Sequence, residues 1–168
     1  MSEPIIHRIG IGTDLHRLEP GRRLILGGVE VPFEKGLAGH SDADVVLHAV
    51  TDAICGAAGL PDIGEQFPDT DPAYRGADSA KLLSVALQRV HSLGYDVACV
   101  DVVVHAERPK LSPYKEPIRR RLAELLRLDA ARVSIKAKTN EGLDAVGRGE
   151  AIAATVVAGL TRTESPSA

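Results

Sequence analysis

Asp14 and His16 stand one residue apart in the stretch Gly10-Ile11-Gly12-Thr13-Asp14-Leu15-His16-Arg17. Ile5, Ile6, Ile9 and Ile11 make the approach to it apolar, as in a strand. Alternate strand residues share a face, so at the strand end a carboxylate oxygen and an imidazole nitrogen can aim at one point. They supply two ligands of a three- or four-ligand metal site. On its own the pair weighs little, because a surface carboxylate beside a polar histidine has the same sequence. His48 is the third candidate. Asp44, His48 and Asp52 recur every fourth residue as a polar stripe on an otherwise apolar, small-residue-rich helical segment. Such a stripe borders a cleft where a helix packs on a sheet, although from the helix alone a hydrogen-bonded structural histidine is the stronger reading of His48. Two imidazoles and one carboxylate are an ordinary set for a catalytic zinc with one position open.

Two further groups carry chemistry. His40-Ser41 and Lys138-Thr139 are donors suited to negative charge on a phosphoryl group, and Ser41 is equally suited to capping a helix. Glu141, in the turn Thr139-Asn140-Glu141-Gly142, offers a carboxylate to a hard divalent ion, or is simply a solvated turn residue. The chain has no Gly-x-Ser-x-Gly elbow, no Gly-x-x-x-x-Gly-Lys loop and no His-Glu-x-x-His. Gly10-x-Gly12 lacks the third glycine and the following helix of a dinucleotide site. Residues alone therefore point to a metal-dependent enzyme acting on a phosphorylated substrate.

These side chains need elements to hold them. Short apolar runs on either side of Gly27-Gly28 predict a hairpin. Gly36 to Asp42 reads as a loop leading into a helix over 43–58, capped by Ser41 or Asp42, with Val45, Val46, Ala49, Ala53, Ile54 and Ala57 inward. Leu60 to Pro72 is a long loop anchored by Ile63 and Phe67, of the kind that serves as a lid or binding loop. A helix from Asp78 or Ser79 to Gly94, a strand over 97–105, a helix over 114–126 and a strand over 132–138 follow. The last element, Ala151 to Leu160, is Ala/Val-rich, and Thr155-Val156-Val157 makes it a strand. The expected fold is α/β (α+β): one domain over 1–160, a mixed four-stranded sheet plus a small hairpin, helices on one face, and a polar tail over 161–168.

Composition narrows the function classes. With 168 residues, 44% of them hydrophobic, the chain can build one full core. A net charge of −3 and 3% aromatics argue against a nucleic-acid partner. No apolar run is long enough for a membrane span, and the N-terminus lacks the regions of a signal peptide, so the cytoplasm is expected. Cys55 and Cys99, each in an apolar run, read as small buried hydrophobes.

The motifs taken together carry a resemblance. Asp14-Leu15-His16-Arg17, Gly36-Leu37-Ala38-Gly39-His40-Ser41-Asp42-Ala43-Asp44-Val45-Val46-Leu47-His48, Asp62-Ile63-Gly64, Phe67-Pro68-Asp69-Thr70-Asp71, Pro109-Lys110 and Gly147-Arg148-Gly149-Glu150 resemble the 2-C-methyl-D-erythritol 2,4-cyclodiphosphate synthases, in order from about Ile9 to Leu160. The resemblance implies a homotrimeric lyase of non-mevalonate isoprenoid synthesis, with active sites between subunits. In that family the 2-phosphate of 4-diphosphocytidyl-2-C-methyl-D-erythritol 2-phosphate attacks its own β-phosphate and CMP leaves. A zinc phosphodiesterase or phosphatase using bound water, and a non-catalytic trimeric metal-binding module, are the alternatives.

Position by position, the resemblance makes Asp14, His16 and His48 zinc ligands and Glu141 the ligand of a magnesium or manganese bridging the phosphates. His40 and Thr139 match transition-state stabilisers, and His40 and Ser41 match contacts to the phosphate end. Asp62, Ile63 and Gly64 match the erythritol-binding loop, continued by Phe67, Pro68, Asp69, Thr70 and Asp71. Ala106, Pro109, Lys110, Leu111 and Ser112 match the neighbouring subunit's cytidine pocket; Ala137, Lys138, Thr139 and Asn140 match the other wall. The chain departs from the family at Lys138-Thr139-Asn140-Glu141, where many members carry Thr-Thr-Thr-Glu. Members that bind an isoprenoid diphosphate on the trimer axis can carry phenylalanine where Thr13 and Ala145 stand. Arg148 is retained, but without those aromatics an axial ligand is not expected here.

Overall fold

The apolar opening run becomes β1 (Arg8–Pro20), and Asp14 and His16 sit well inside this strand rather than at its end. It stays extended because it has partners along its length. Arg8 to Arg17 pair antiparallel with the last strand, β7 (Ala151–Arg162), and Leu18 to Pro20 pair with β4 (Lys35–Leu37). These observations come from a computed structural model that describes residues 5–163 except residues 40, 69 and 75.

The main sheet has five strands in the order β4-β1-β7-β5-β6, where β5 is Tyr95–His105 and β6 is Val133–Lys138. The expectation of four strands is corrected by β4, a three-residue strand with a central glycine, too short to leave a periodic signal. Gly36 is needed there, since a Cβ would lie 2.2 Å from the Arg23 carbonyl oxygen. β5 and β6 are parallel and the other pairings antiparallel, so the sheet is mixed. β2 (Leu24–Leu26) and β3 (Val29–Val31) form the expected hairpin, with positive φ at Gly27 and Gly28.

Helices cover one face. α1 (Val45–Ala58) packs across β1, β7 and β5; α3 (Ser79–Ser92) packs on α1, and α4 (Lys115–Leu126) covers β6. The long loop contains a single helical turn, α2 (Ile63–Gln66), and another turn, α5 (Asp144–Gly147), precedes β7. The core lies between helices and sheet, with Leu47, Ile54, Leu83, Val102, Val104, Ile152 and Leu160 fully or almost fully buried.

The opposite sheet face is open. Ile9 and Ile11 are 72% and 65% exposed, and Leu15 and Val157 lie beside them. Cys99 belongs to this face and is exposed, which corrects its reading as buried; Cys55, on α1, is buried. The strand's unbroken apolar run concealed that only alternate residues face the helices. Among the described residues no helix is long and apolar enough to cross a membrane. Of the expected tail, Thr161 and Arg162 end β7, and residues 164–168 lie outside the described residues.

Candidate metal centre and cleft

Gly10 and Gly12 set the position of α1. Their strand face meets Ala49, Ala53 and Ala57, spaced four apart on the helix. A Cβ on Gly12 would lie 2.0 Å from the Ala49 carbonyl oxygen, and one on Gly10 would lie 2.1 Å from that of Ala53. The two glycines and the alanine row let helix backbone approach strand backbone. Continuing along that face, β1 presents Asp14 and then His16, and α1 presents His48.

The three side chains converge. Asp14 Oδ2 lies 2.9 Å from His16 Nε2 and 3.0 Å from His48 Nδ1, and the two nitrogens are 3.2 Å apart. Tetrahedral bonds of about 2.0 Å to zinc place ligand atoms roughly 3.3 Å apart, so the spacing is close to what such an ion needs. All three residues are half-buried and form a group able to hold a metal ion. His16 Nδ1 donates to the Ala38 carbonyl oxygen at 2.7 Å; a carbonyl only accepts, so the proton sits on Nδ1 and Nε2 has its lone pair for the cluster. Burial by itself would raise the Asp14 carboxyl, but the hydrogen bonds it accepts from His16 and His48 whenever those facing nitrogens carry a proton outweigh burial and hold it well below the usual carboxylate range. Reciprocally, the bond that a protonated Nε2 donates to the Asp14 carboxylate raises His16, against the opposing effect of burial.

α1 begins at Asp44, not at Ser41 or Asp42, and this residue ties the region together. Fully buried, it accepts the backbone N–H groups of Gly27, Gly28, Val46 and Leu47 at 2.9, 2.6, 3.1 and 3.0 Å. One carboxylate thus caps the helix that bears His48 and fastens the hairpin turn to it. Burial pushes its carboxyl up to about 6, against the pull of the Gly28, Leu47 and Gly27 amides.

A cleft of about 230 Å³ opens from the cluster, lined by Asp14, His16, Ser41, His48, Ile63, Gly64 and Phe67 of the expected residues. Asp62 uses its carboxylate to cap α2, accepting from Glu65 N at 2.9 Å, while Asp71 accepts from Ala73 N; Pro68 and Thr70 are exposed on the same loop. His40 and Asp69 lie outside the described residues. Asp52, Tyr74 and Leu82 line the cleft without having been singled out as site residues. Asp52 accepts the Ile63 N–H at 2.7 Å and so fastens the loop to α1; its place one turn after His48 was the available signal. Burial raises the Asp52 carboxyl, partly offset by that amide.

The second group of expected residues lies elsewhere. Ala106 N donates to the Lys138 carbonyl oxygen at 2.9 Å, joining the stretch 106–112 to the turn 138–141. Thr139 Oγ1 donates to Glu141 Oε1 at 3.1 Å; Asn140 Oδ1 accepts from His105 Nδ1 at 3.0 Å, and its Nδ2 donates to Asp144 at 2.8 Å. Arg148 pairs with Glu150. This turn follows β6, and β7 and β5 stand between β6 and β1. At about 4.8 Å per strand step, β6 is roughly 14 Å from β1. One chain therefore does not bring Lys138, Thr139 and Glu141 to the Asp14 cluster.

The model of the YgbB family matches residues 7–161. The 2-C-methyl-D-erythritol 2,4-cyclodiphosphate synthase of Bordetella petrii is 57% identical over 92% of this chain and 96% of its own length. The bifunctional IspDF of Campylobacter jejuni superposes with a TM-score of 0.89 at 41% identity; the match covers 92% of this chain and 42% of that longer protein. A 2C-methyl-D-erythritol-2,4-cyclodiphosphate synthase in its CDP-bound form superposes with a TM-score of 0.85 at 41% identity, over 91% of this chain and 99% of that one.

Proposed function

This chain belongs to the YgbB family of 2-C-methyl-D-erythritol 2,4-cyclodiphosphate synthases, and from that membership we propose its reaction and the roles of its residues. It converts 4-diphosphocytidyl-2-C-methyl-D-erythritol 2-phosphate to the 2,4-cyclodiphosphate and CMP. An oxygen of the 2-phosphate forms a bond to the β-phosphorus. The bond from that phosphorus to the bridging oxygen breaks, and CMP leaves with the oxygen. The observation that carries this reading is the cluster of Asp14, His16 and His48 at the base of a cleft that Ser41, Ile63 and Gly64 also line.

Asp14, His16 and His48 would hold zinc, which when bound supplies a Lewis acid for the β-phosphate. Ser41, with His40, donates to the phosphate end, and the loop from Asp62 through Asp71 holds the erythritol. Thr139 donates to charge developing on the phosphates, and Glu141 would hold magnesium or manganese beside them. Ala106 to Ser112 and Ala137 to Asn140 read the cytidine. Since the nucleophile belongs to the substrate, these groups need only position it and screen its charge.

The two groups meet in a homotrimer in which the 106–112 and 138–141 walls of one subunit face the metal cluster of the next. The open face carrying Ile9, Ile11, Leu15 and Val157 and the strand separation within one chain support this assembly. Arg148, tied to Glu150, is proposed to line the axis without an isoprenoid-diphosphate ligand. The proposed compartment is the cytoplasm.

Incubating the purified chain with the diphosphocytidyl substrate, Zn²⁺ and Mg²⁺ tests the proposal. CMP and the cyclic diphosphate in equal amounts are expected, from a species with the solution mass of a trimer. Inorganic phosphate would instead identify a phosphatase, and absence of turnover a binding module.

A further inference from the structure

His48 reaches the metal cluster through Nδ1, and what its other nitrogen meets is a separate matter. Two hydroxyls flank Nε2: Ser79 Oγ at 2.9 Å and Ser41 Oγ at 3.3 Å. They are not equivalent. Ser79, 1% exposed at the start of α3, gives its hydroxyl proton to Asp42 Oδ1, and its backbone N–H donates to Asp42 Oδ2 at 3.2 Å. A hydroxyl has one proton, and an ionised carboxylate can only accept it. With that proton committed to Asp42, Ser79 turns a lone pair toward His48. The Nε2 nitrogen must then carry a proton, and in the neutral ring Nδ1 keeps the lone pair that an ion shared with Asp14 and His16 would take.

Ser41 lacks such backing. Its oxygen accepts the Ala43 N–H at 3.1 Å and stands farther from the ring, at the cleft surface. The bond to Ser79 has a geometric consequence too. It fixes the imidazole plane from the side opposite the cluster, and Asp42 fixes Ser79 in turn. The chain crosses three segments, from the loop before α1 through the first residue of α3 to the first turn of α1.

We infer that Ser79 and Asp42 are positioning residues of the metal centre: the carboxylate–hydroxyl–imidazole chain Asp42–Ser79–His48 holds His48 in the tautomer and orientation that present Nδ1 to the ion. This rests on the metal reading of Asp14, His16 and His48 proposed above. Partners of this kind behind a ligating histidine are worth about 10- to 100-fold in metal affinity.

The test is zinc affinity, measured by chelator competition on the full-length protein. Ser79→Ala should bind zinc ~10- to 100-fold more weakly, Ser79→Thr should recover most of the loss, and Ser41→Ala should keep the parent affinity. The cap of α3 is Asp78, which accepts the Ala80 N–H at 2.8 Å, so Ser79→Ala leaves the helix its cap and far-ultraviolet dichroism should not change. Zinc affinity of Ser79→Ala within ~2-fold of the parent would overturn the inference. Should Ser79→Ala fail to fold, Asp42→Asn replaces it; an unchanged affinity there is equally fatal. If the parent binds no zinc, the metal reading itself has failed. Nitrogen NMR of neutral His48 in the metal-free protein then decides the chain separately: a proton on Nε2 supports it, and a proton on Nδ1 refutes it.

Discussion

The Asp14–His16–His48 cluster and the Lys138–Glu141 turn are both sets of polar side chains, built to opposite standards. The cluster is half-buried and held from behind: His16 by Ala38, His48 by Ser79, and α1 by Asp44. The three atoms that could ligate an ion stand within 3.2 Å of one another. The turn is exposed, Glu141 has a positive φ of 53°, and its carboxylate is met by Thr139 from the same turn. A site finished inside one chain can be preorganised by that chain's own core. A site shared between chains is open on the side its neighbour covers. On the proposed assembly, the cluster should therefore work as a metal site in any state of assembly, while the turn should act only when two subunits face each other.

Removing a proposed ligand strains that division hardest. His48→Ala is expected to lose zinc from the purified protein and at least ~1,000-fold in turnover. Metal analysis is the check, and full zinc retention would remove His48 from the site. The next largest effect should come from a residue that touches no metal. Gly12→Val places carbon atoms against the Ala49 carbonyl oxygen and the Ala53 nitrogen, which are main chain and cannot turn aside. We expect a loss of about 3 kcal/mol or more in unfolding free energy, with weakened zinc binding, since α1 must move away from β1. If zinc binds Gly12→Val as tightly as the parent, the approach of α1 to β1 does not set the ligand spacing.

These two residues were unequally legible. Asp14 and His16 could be paired from strand alternation, and His48 joined them through a helical stripe and the family motif. Gly12 reads in the sequence only as half of a dinucleotide motif, because its partners are alanines more than thirty residues later. The stripe also hid a difference between its members: Asp44 is fully buried, and His48 and Asp52 are half-buried. What buries Asp44 is the Gly27-Gly28 turn, which no local pattern connects to it. β4 and the exposure of Cys99 escaped for the same kind of reason, since a strand's partners and its open face are long-range facts. Helices α1, α3 and α4 and the hairpin were readable, because their signals lie within their own residues.

On the far wall, Glu141→Ala should separate the two halves. Magnesium-dependent turnover should fall by about 100-fold while each chain keeps its zinc. A steady-state assay paired with zinc analysis reads both. Loss of zinc together with turnover would mean that the turn and the cluster form one metal site.

The smallest expected effect concerns pH. A carboxyl raised by folding stabilises the folded state when protonated, so its contribution is present below its unfolded value and is lost as pH rises through its folded value. Asp44 is raised to about 6 from 3.8, and Asp52 is raised in the same direction. His16 is raised as well, which likewise favours the metal-free fold below the ordinary histidine range. Asp14 is lowered, so its stabilisation is lost only at pH well below 4 and does not oppose the others at pH 5. The metal-free protein should therefore gain stability on going from pH 7 to pH 5, with about 1 kcal/mol from Asp44. Zinc must displace protons from the imidazoles, so the stabilisation that zinc adds should shrink over the same range. Thermal denaturation with and without zinc at the two pH values measures both trends. A metal-free protein that melts lower at pH 5 than at pH 7 would show that the Asp44 junction does not govern the acid response of this wall.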